Sequence, residues 1–168
     1  MMRNILIIGG TKGIGKAIVD LLVNENNVIC MSRNSTEFSH NNYSHITFDS
    51  TVDEFPDFEK VDTLIYCPGT INLKPFGSLK EADFLNDFQV NLIGATNCIK
   101  HFFRGMKKQE NASIVLFSTV AVSQGMPFHA SIAAAKGAIE GLTRSLAAEF
   151  ALQLMIVLIL QLLLWLQL

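Results

Sequence analysis

A glycine-rich segment near the N-terminus constrains the fold of this chain more than any other feature. The segment reads GGTKGIG, follows the apolar run Ile5 to Ile8 and precedes apolar residues at helical spacing. Residues without a Cβ let backbone N–H groups and the N-terminus of the following helix approach a pyrophosphate. The order of strand, glycines and amphipathic helix therefore predicts nucleotide binding through Gly9, Gly13 and Gly15.

Short apolar runs and helical patterns alternate along the first 150 residues. Predicted strands cover residues 5–8, 28–31, 44–48, 61–66 and 113–117, and long helices cover about 81–107 and 132–150. Continuous apolar strands between helices are typical of a parallel sheet covered on both faces. Because crossover connections are right-handed, the pattern predicts the α/β class, with a doubly wound parallel sheet of the Rossmann type.

The charge balance and the cysteines exclude several classes of protein. The 168 residues include 13 Lys plus Arg and 15 Asp plus Glu, for a net charge of −2, so we expect no nucleic-acid surface. Cys30, Cys67 and Cys98 are widely spaced and odd in number, which argues against a disulfide framework and against a metal site. The N-terminus lacks the pattern of a secretory signal, and we therefore expect a cytoplasmic protein.

The last 18 residues differ from the rest of the chain. Fifteen of residues 151–168 are apolar, three are Gln and none is charged. The rest of the chain has an ordinary globular composition. We therefore divide the sequence into a domain over residues 1–150 and an atypical apolar tail over residues 151–168.

Several segments resemble the short-chain dehydrogenase/reductase family. The glycine turn is similar to the family's TGxxxGIG, FQVNLIGA around Asn91 to its central helix, SIVLFSTVA to its fifth strand, and AAAKGAIEGLTRSLAAEFA to its active-site helix. The resemblance covers residues 3 to 150. It implies an oxidoreductase that transfers hydride between a nicotinamide cofactor and a small carbonyl, alcohol or enoyl substrate. It also implies a homo-oligomer, a dimer or tetramer, formed through the long central helix and the active-site helix.

The resemblance implies a set of cofactor-binding positions, and the residues at the end of the second strand indicate which cofactor they hold. That strand ends Met31-Ser32-Arg33 without the acidic residue that would bind the ribose hydroxyls of NAD. Lys12 and Arg33 are suited to a 2′-phosphate, so we favour NADP(H) over NAD(H). Asp49 matches the family's adenine-contacting aspartate. The full set of cofactor positions is Gly9, Thr11, Lys12, Gly13, Ile14, Gly15, Arg33, Asp49, Gly69, Asn91 and Lys136.

The family's active site consists of Asn, Ser, Tyr and Lys, and this sequence departs from it at the tyrosine. Asn91 and Lys136 match their motifs, and the family spacing selects Thr119 for the serine position. Four residues before Lys136 stands Ile132, which cannot donate a proton. His129, seven residues before Lys136, is either a substitute acid or an ordinary loop residue beside Pro127. A competing hypothesis is a nucleotide-binding protein without catalytic activity.

The tail has three possible explanations. The family continues after its active-site helix with a sixth strand, and A/T-rich codons for the tail can be read in a shifted frame as SINDCINPSIT, which resembles that strand. Under this first explanation, the tail is a frameshift product. Alternatively it is a C-terminal membrane anchor, although 18 uncharged residues with three Gln are short for a span of ~20 residues, and we do not expect a membrane protein. Thirdly, it docks as a strand or helix beside the sheet. Without the later strands, the sheet is expected to be incomplete at its C-terminal edge, with the fifth strand exposed.

Overall fold

The structure is a computed structural model that describes residues 2–151 and 155–161. Six strands are described: β1 Asn4–Ile8, β2 Asn27–Ser32, β3 Tyr43–Thr47, β4 Thr63–Tyr66, β5 Ser113–Thr119 and β6 Met155–Gln161. The described α-helices are α1 Gly13–Leu22, α2 Glu81–Phe88, α3 Gly94–Met106, α4 Val120–Gln124 and α5 Ala130–Phe150. A 3-10 turn covers Phe76–Ser78, and a π-helical turn, Gln89–Ile93, joins α2 to α3.

The strands form one parallel sheet in the order β3-β2-β1-β4-β5-β6. The strand order reverses between β1 and β4. In open α/β sheets of this kind, ligands bind at that reversal, beyond the carboxyl ends of the strands. The predicted doubly wound α/β fold is confirmed.

Alternate residues of β1 enter two separate cores, one on each face of the sheet. Leu6 and Ile8 belong to the larger core, which includes Ile99 of α3, whereas Ile5 and Ile7 pack in the core that includes Val19 of α1. Successive strand residues point to opposite faces, so a strand that is covered on both sides must be apolar throughout. The unbroken run Ile5 to Ile8 has this pattern, and burial of the run fixes the glycine turn directly above it.

The predicted helix over residues 81–107 has nearly the expected extent but is interrupted by the π-helical turn. The Tyr66 hydroxyl donates a hydrogen bond to the carbonyl oxygen of Val90, within that turn, at 2.7 Å. A methyl group on Gly94 would collide with the same hydroxyl. Since π-helical turns leave the regular helical bonding pattern, these contacts with β4 hold the turn in place.

The described part of the tail is the edge strand of the sheet. β6 pairs in parallel with β5 along its whole length, from Ser113 opposite Met155 to Thr119 opposite Gln161. The expectation that the fifth strand is an exposed edge is therefore wrong, because β6 supplies its missing hydrogen-bonding partner. Residues 155–161 dock as a strand, which the third explanation describes and which is equally compatible with a frameshift product. Residues 152–154 and 162–168 lie outside the described part. Within that part, none of the helices is both long and apolar enough to cross a bilayer.

Candidate active site

Two adjoining cavities lie beyond the carboxyl ends of the strands. The first has a volume of 280 Å³ and extends from the glycine turn to the end of β5 and the start of α5. The second has a volume of 380 Å³ and extends from the same turn to the ends of β2 and β3. Both are lined by Gly9, Lys12, Cys67 and Gly69, so they form one elongated cleft across the reversal in strand order.

The glycine turn has the close backbone contacts that its sequence predicts. Gly9 and Gly13 have φ angles of 80° and 54°, in the left-handed region that favours glycine. A methyl group on Gly15 would collide with the carbonyl oxygen of Gly9. Helix α1 begins at Gly13, so its free N–H groups lie beside the cleft. Ile14 lines the first cavity and Thr11 the second.

Arg33 and Lys12 line the second cavity together, and both are exposed. The residue before Arg33 is held in place: the Ser32 hydroxyl donates to the carbonyl oxygen of Asn34 at 3.0 Å and lies 2.9 Å from Nε2 of His45. Neither residue 31 nor residue 32 is acidic. This end of the cleft therefore offers two cations to an anionic group.

Asp49 lines the same cavity but already has partners for one of its oxygens. Oδ1 accepts hydrogen bonds from the Thr51 hydroxyl at 2.6 Å and from the Thr51 N–H at 2.9 Å. The Thr51 hydroxyl first, and then its N–H, hold the pKa of Asp49 below its usual value. The carboxylate consequently stays ionised in a fixed orientation at the cavity wall.

Lys136 projects from α5 into the first cavity. Burial lowers the pKa of its amine to about 8. Burial also raises the pKa of Cys67 to about 12, so the thiol stays protonated at neutral pH. A methyl group placed on Gly69 would lie 3.8 Å from Lys136 Nζ and 3.3 Å from Asn91 Oδ1. The two predicted residues therefore both border the open space beside Gly69.

Asn91 lies beneath the first cavity rather than in its wall. It is 1% exposed, in the π-helical turn, and its Nδ2 donates to Thr70 Oγ1 and to the carbonyl oxygen of Asp87, both at 2.9 Å. The sequence interpretation missed Thr70 and Asp87. The spacing of four between Asp87 and Asn91 is the local signal that links them, whereas Thr70 comes from a distant loop.

Ile132 occupies the position where the family has its tyrosine. It is 5% exposed and lines the first cavity one helical turn before Lys136. The hydroxyls of Ser118 and Thr119 have different partners, as expected for neighbouring strand residues. Ser118 donates to Glu140 Oε1 at 2.7 Å, whereas Thr119 Oγ1 accepts from the N–H of Ala121 at 3.3 Å at the start of α4. Among the described side chains, no acceptor for the Thr119 hydroxyl hydrogen is found.

His129 immediately precedes α5, lines the first cavity and is 4% exposed. Its Nδ1 lies 2.7 Å from the carbonyl oxygen of Pro127. A carbonyl oxygen only accepts, so Nδ1 carries a hydrogen and Nε2 of the neutral ring carries a lone pair. Nε2 is buried and has no hydrogen-bond partner among residues 2–151 and 155–161. The histidine is thus a buried member of the cavity wall.

The family model for short chain dehydrogenases matches residues 3–160. The chain belongs to this family. Over 93 residues it is 34% identical to the short-chain reductase protein NovJ of Streptomyces niveus, covering 55% of this chain and 35% of NovJ. Over 166 residues it is 30% identical to the NADPH-dependent pterin aldehyde reductase of Arabidopsis thaliana, covering 88% of this chain and 69% of that protein.

A solved structure with a bound nicotinamide cofactor is similar in fold and sequence. A tyrosine-to-phenylalanine variant of ElxO with NADPH bound superimposes with a TM-score of 0.85 at 26% identity, covering 96% of this chain and 74% of that one. The chain spans only about a third of the length of the first curated relatives it matches, 35% of NovJ and 29% of human retinol dehydrogenase 8. As a family member it has the fold of NAD(P)-binding oxidoreductases.

Proposed function

We propose that this short-chain dehydrogenase is an NADP(H)-dependent oxidoreductase acting on a small carbonyl, alcohol or enoyl substrate. The observation that carries the proposal is the continuous cleft that joins the glycine turn to the corner shared by Asn91 and Lys136. Its contacts suit a dinucleotide: at Gly15 the backbone fills the space that a side chain would need, and the N-terminus of α1 faces the cleft.

The preference for NADP(H) rests on the charges in the second cavity. Arg33 and Lys12 line it together, and β2 ends without the carboxylate that would bind ribose hydroxyls. A guanidinium and an ammonium can both donate charge-assisted hydrogen bonds to a 2′-phosphate. The NADPH-bound ElxO variant and the NADPH-dependent pterin aldehyde reductase support the same choice.

The residues of the first cavity have distinct roles in this proposal. When bound, the nicotinamide cofactor supplies or accepts the hydride. Lys136 holds the ribose hydroxyls, Asn91 lies near it, and the Thr119 hydroxyl, which lines the cavity, donates to the substrate oxygen. The low pKa of Lys136 keeps a fraction of its amine neutral near physiological pH, so it can pass a proton as well as bind.

His129 is the proposed proton carrier in place of the absent tyrosine. Once a movement of the ring exposes the buried Nε2 to the cavity, its lone pair can take the proton of a substrate hydroxyl during oxidation, and the protonated ring can return it during reduction. The second candidate function is nucleotide binding without catalysis. It is favoured by one observation, the apolar Ile132 at the position of the family's acid.

The test is to follow NADPH binding and NADPH oxidation by the full chain against a panel of aldehydes, ketones and enoyl thioesters. The proposal predicts saturable binding and oxidation with at least one substrate class, and loss of oxidation in Lys136→Met. Binding without oxidation across the panel would support the non-catalytic alternative. If neither NADPH nor NADH binds, the proposed function is wrong.

A further inference from the structure

We propose that Asp87 is a positioning residue for the site: through Thr70 it fixes the orientation of the Asn91 amide, which then presents its oxygen toward Lys136. The inference deepens the proposed function, on which its catalytic consequence rests. It is carried by three hydrogen bonds at the floor of the first cavity, two between side chains and one to the main-chain carbonyl of Asp87.

The direction of each hydrogen bond follows from the chemistry of its partners. The Thr70 hydroxyl has a single hydrogen, which it donates to Asp87 Oδ1. The Thr70 oxygen is then able only to accept, and it accepts from Asn91 Nδ2 at 2.9 Å. The main-chain carbonyl of Asp87 accepts from the same Nδ2 at 2.9 Å. Both hydrogens on Asn91 Nδ2 are therefore donated, and their two acceptors lie on the Nδ2 side of the side-chain amide.

The orientation of the amide places Asn91 Oδ1 on the opposite side. This oxygen is buried and has no hydrogen-bond partner in the described ranges of the chain. The space beside it is the one left by the missing side chain of Gly69, where a methyl group would lie 3.3 Å from Oδ1 and 3.8 Å from Lys136 Nζ. An acceptor and an ammonium donor consequently face the same small volume.

Asp87 is suited to this role by its position and its burial. It lies four residues before Asn91, in the last turn of α2, and its exposed fraction is 0%. In the described part of the chain, its carboxyl group takes part in no ion pair, and Oδ2 has no hydrogen-bond partner. A buried carboxyl with a single side-chain bond is costly, and incompletely satisfied buried networks concentrate at functional sites. What Asp87 contributes is an acceptor for the Thr70 hydrogen.

Variants of Thr70 and Asp87 separate this role from general packing. Thr70→Val removes the hydroxyl and keeps the shape, and Thr70→Ser restores the hydroxyl. Asp87→Leu removes the acceptor, and Asp87→Asn keeps an acceptor oxygen without the charge. Thr143→Val is the matched control, because Thr143 is also buried and donates within α5, to the carbonyl oxygen of Ile139 at 2.7 Å.

The readouts are the titration of the Lys136 amine by NMR and the dissociation constant of NADPH, both on the full chain. Thr70→Val and Asp87→Leu are expected to lower the pKa of Lys136 further and to weaken NADPH binding ~10-fold, because an amide N–H then faces the ammonium for part of the time. Thr70→Ser, Asp87→Asn and Thr143→Val should leave the pKa of Lys136 unchanged. They should also keep the dissociation constant of NADPH within about 2-fold of the parent value.

Three outcomes would overturn the inference. The first is an unchanged pKa of Lys136 in Thr70→Val, and the second is an equal change of that pKa in Thr143→Val. The third is a loss of NADPH affinity in Asp87→Asn as large as in Asp87→Leu. If Asp87→Leu does not fold, the Thr70 pair decides alone. If the parent chain binds no NADPH, the proposed function fails, but the Lys136 titration still tests the role of Asp87.

Discussion

Ile132 and Lys136 lie one turn apart on α5, and both side chains line the same cavity. The lysine is therefore placed beside an apolar group where the family places a phenol.

A phenol at position 132 should take over proton transfer when His129 is removed. In a His129→Phe background, Ile132→Tyr is expected to raise the rate of carbonyl reduction by at least ~10²-fold, since a general acid in position contributes a factor of this size. The measurement is NADPH oxidation under saturating cofactor. Ile132→Phe supplies the ring without the hydroxyl and should give no increase. Equal rates in the two variants would show that the position does not control proton transfer.

His129 provides a second test of proton transfer. His129→Phe is expected to lower the turnover of the parent chain by ~10²-fold or more, because the ring transfers the substrate proton. NADPH affinity should stay unchanged, because the ring does not bind the cofactor. Nitrogen chemical shifts of the ring should show the hydrogen on Nδ1, where Pro127 accepts it. The control is His101→Phe, since His101 stacks on Phe55 outside both cavities. Unchanged turnover in His129→Phe would leave the histidine without a catalytic role.

The buried amine of Lys136 makes stability depend on pH in a specific direction. Burial lowers its pKa from 10.5 to about 8 in the folded protein. Between these values the unfolded chain holds more protons than the folded one, so the free energy of unfolding rises with pH. Lys136→Met lacks this contribution and should exceed the parent in stability at pH 7 by on the order of 2 kcal/mol, with a gap that narrows toward pH 10.

The check is denaturant unfolding at several pH values. Lys100→Met, which replaces an exposed lysine of α3, should follow the parent at every pH. If the difference in the free energy of unfolding between Lys136→Met and the parent is the same at every pH, the pKa of Lys136 is not lowered by folding.

Two glycines of the turn are expected to differ in their tolerance of a methyl group. In Gly15→Ala the new methyl collides with the Gly9 carbonyl oxygen, so the turn must move and NADPH binding should be lost. In Gly13→Ala the methyl meets nothing within 4 Å, and only the φ angle of 54° opposes it, at a cost of about 1–2 kcal/mol. Calorimetric titration with NADPH compares the two. Comparable NADPH affinities in Gly15→Ala and Gly13→Ala would mean that the turn does not bind the cofactor.

The features that the sequence predicts correctly are those encoded by neighbouring residues. The apolar run before Gly9 and the helical spacing after Gly15 are local patterns, and the predicted strands, turn and sheet class follow from them. The π-helical turn escaped prediction because a distant contact, from Tyr66 to the Val90 carbonyl, holds it. Asp87 was missed for a similar reason, since its partner Thr70 lies 17 residues away in the chain.

The tail shows a different limit of predicting structure from sequence patterns. A continuous apolar run without charge fits a buried strand, a buried helix or an anchor, and periodicity does not separate them. For residues 155–161 the deciding factor is the unpaired edge of β5, which accepts a parallel strand along Ser113–Thr119. His129 also required the tertiary structure, because its burial depends on the packing of the loop before α5 and not on its neighbours in sequence.

Titration of the parent chain and of Arg33→Ala with NADPH and with NADH decides whether this cleft is an NADP(H) site. The parent should bind NADPH at least ~10-fold more tightly than NADH, and Arg33→Ala should lose most of that preference with little change in NADH affinity, because the guanidinium meets only the 2′-phosphate. Equal affinity of the parent for the two cofactors, or a preference that Arg33→Ala does not alter, would show that Arg33 does not select NADP(H).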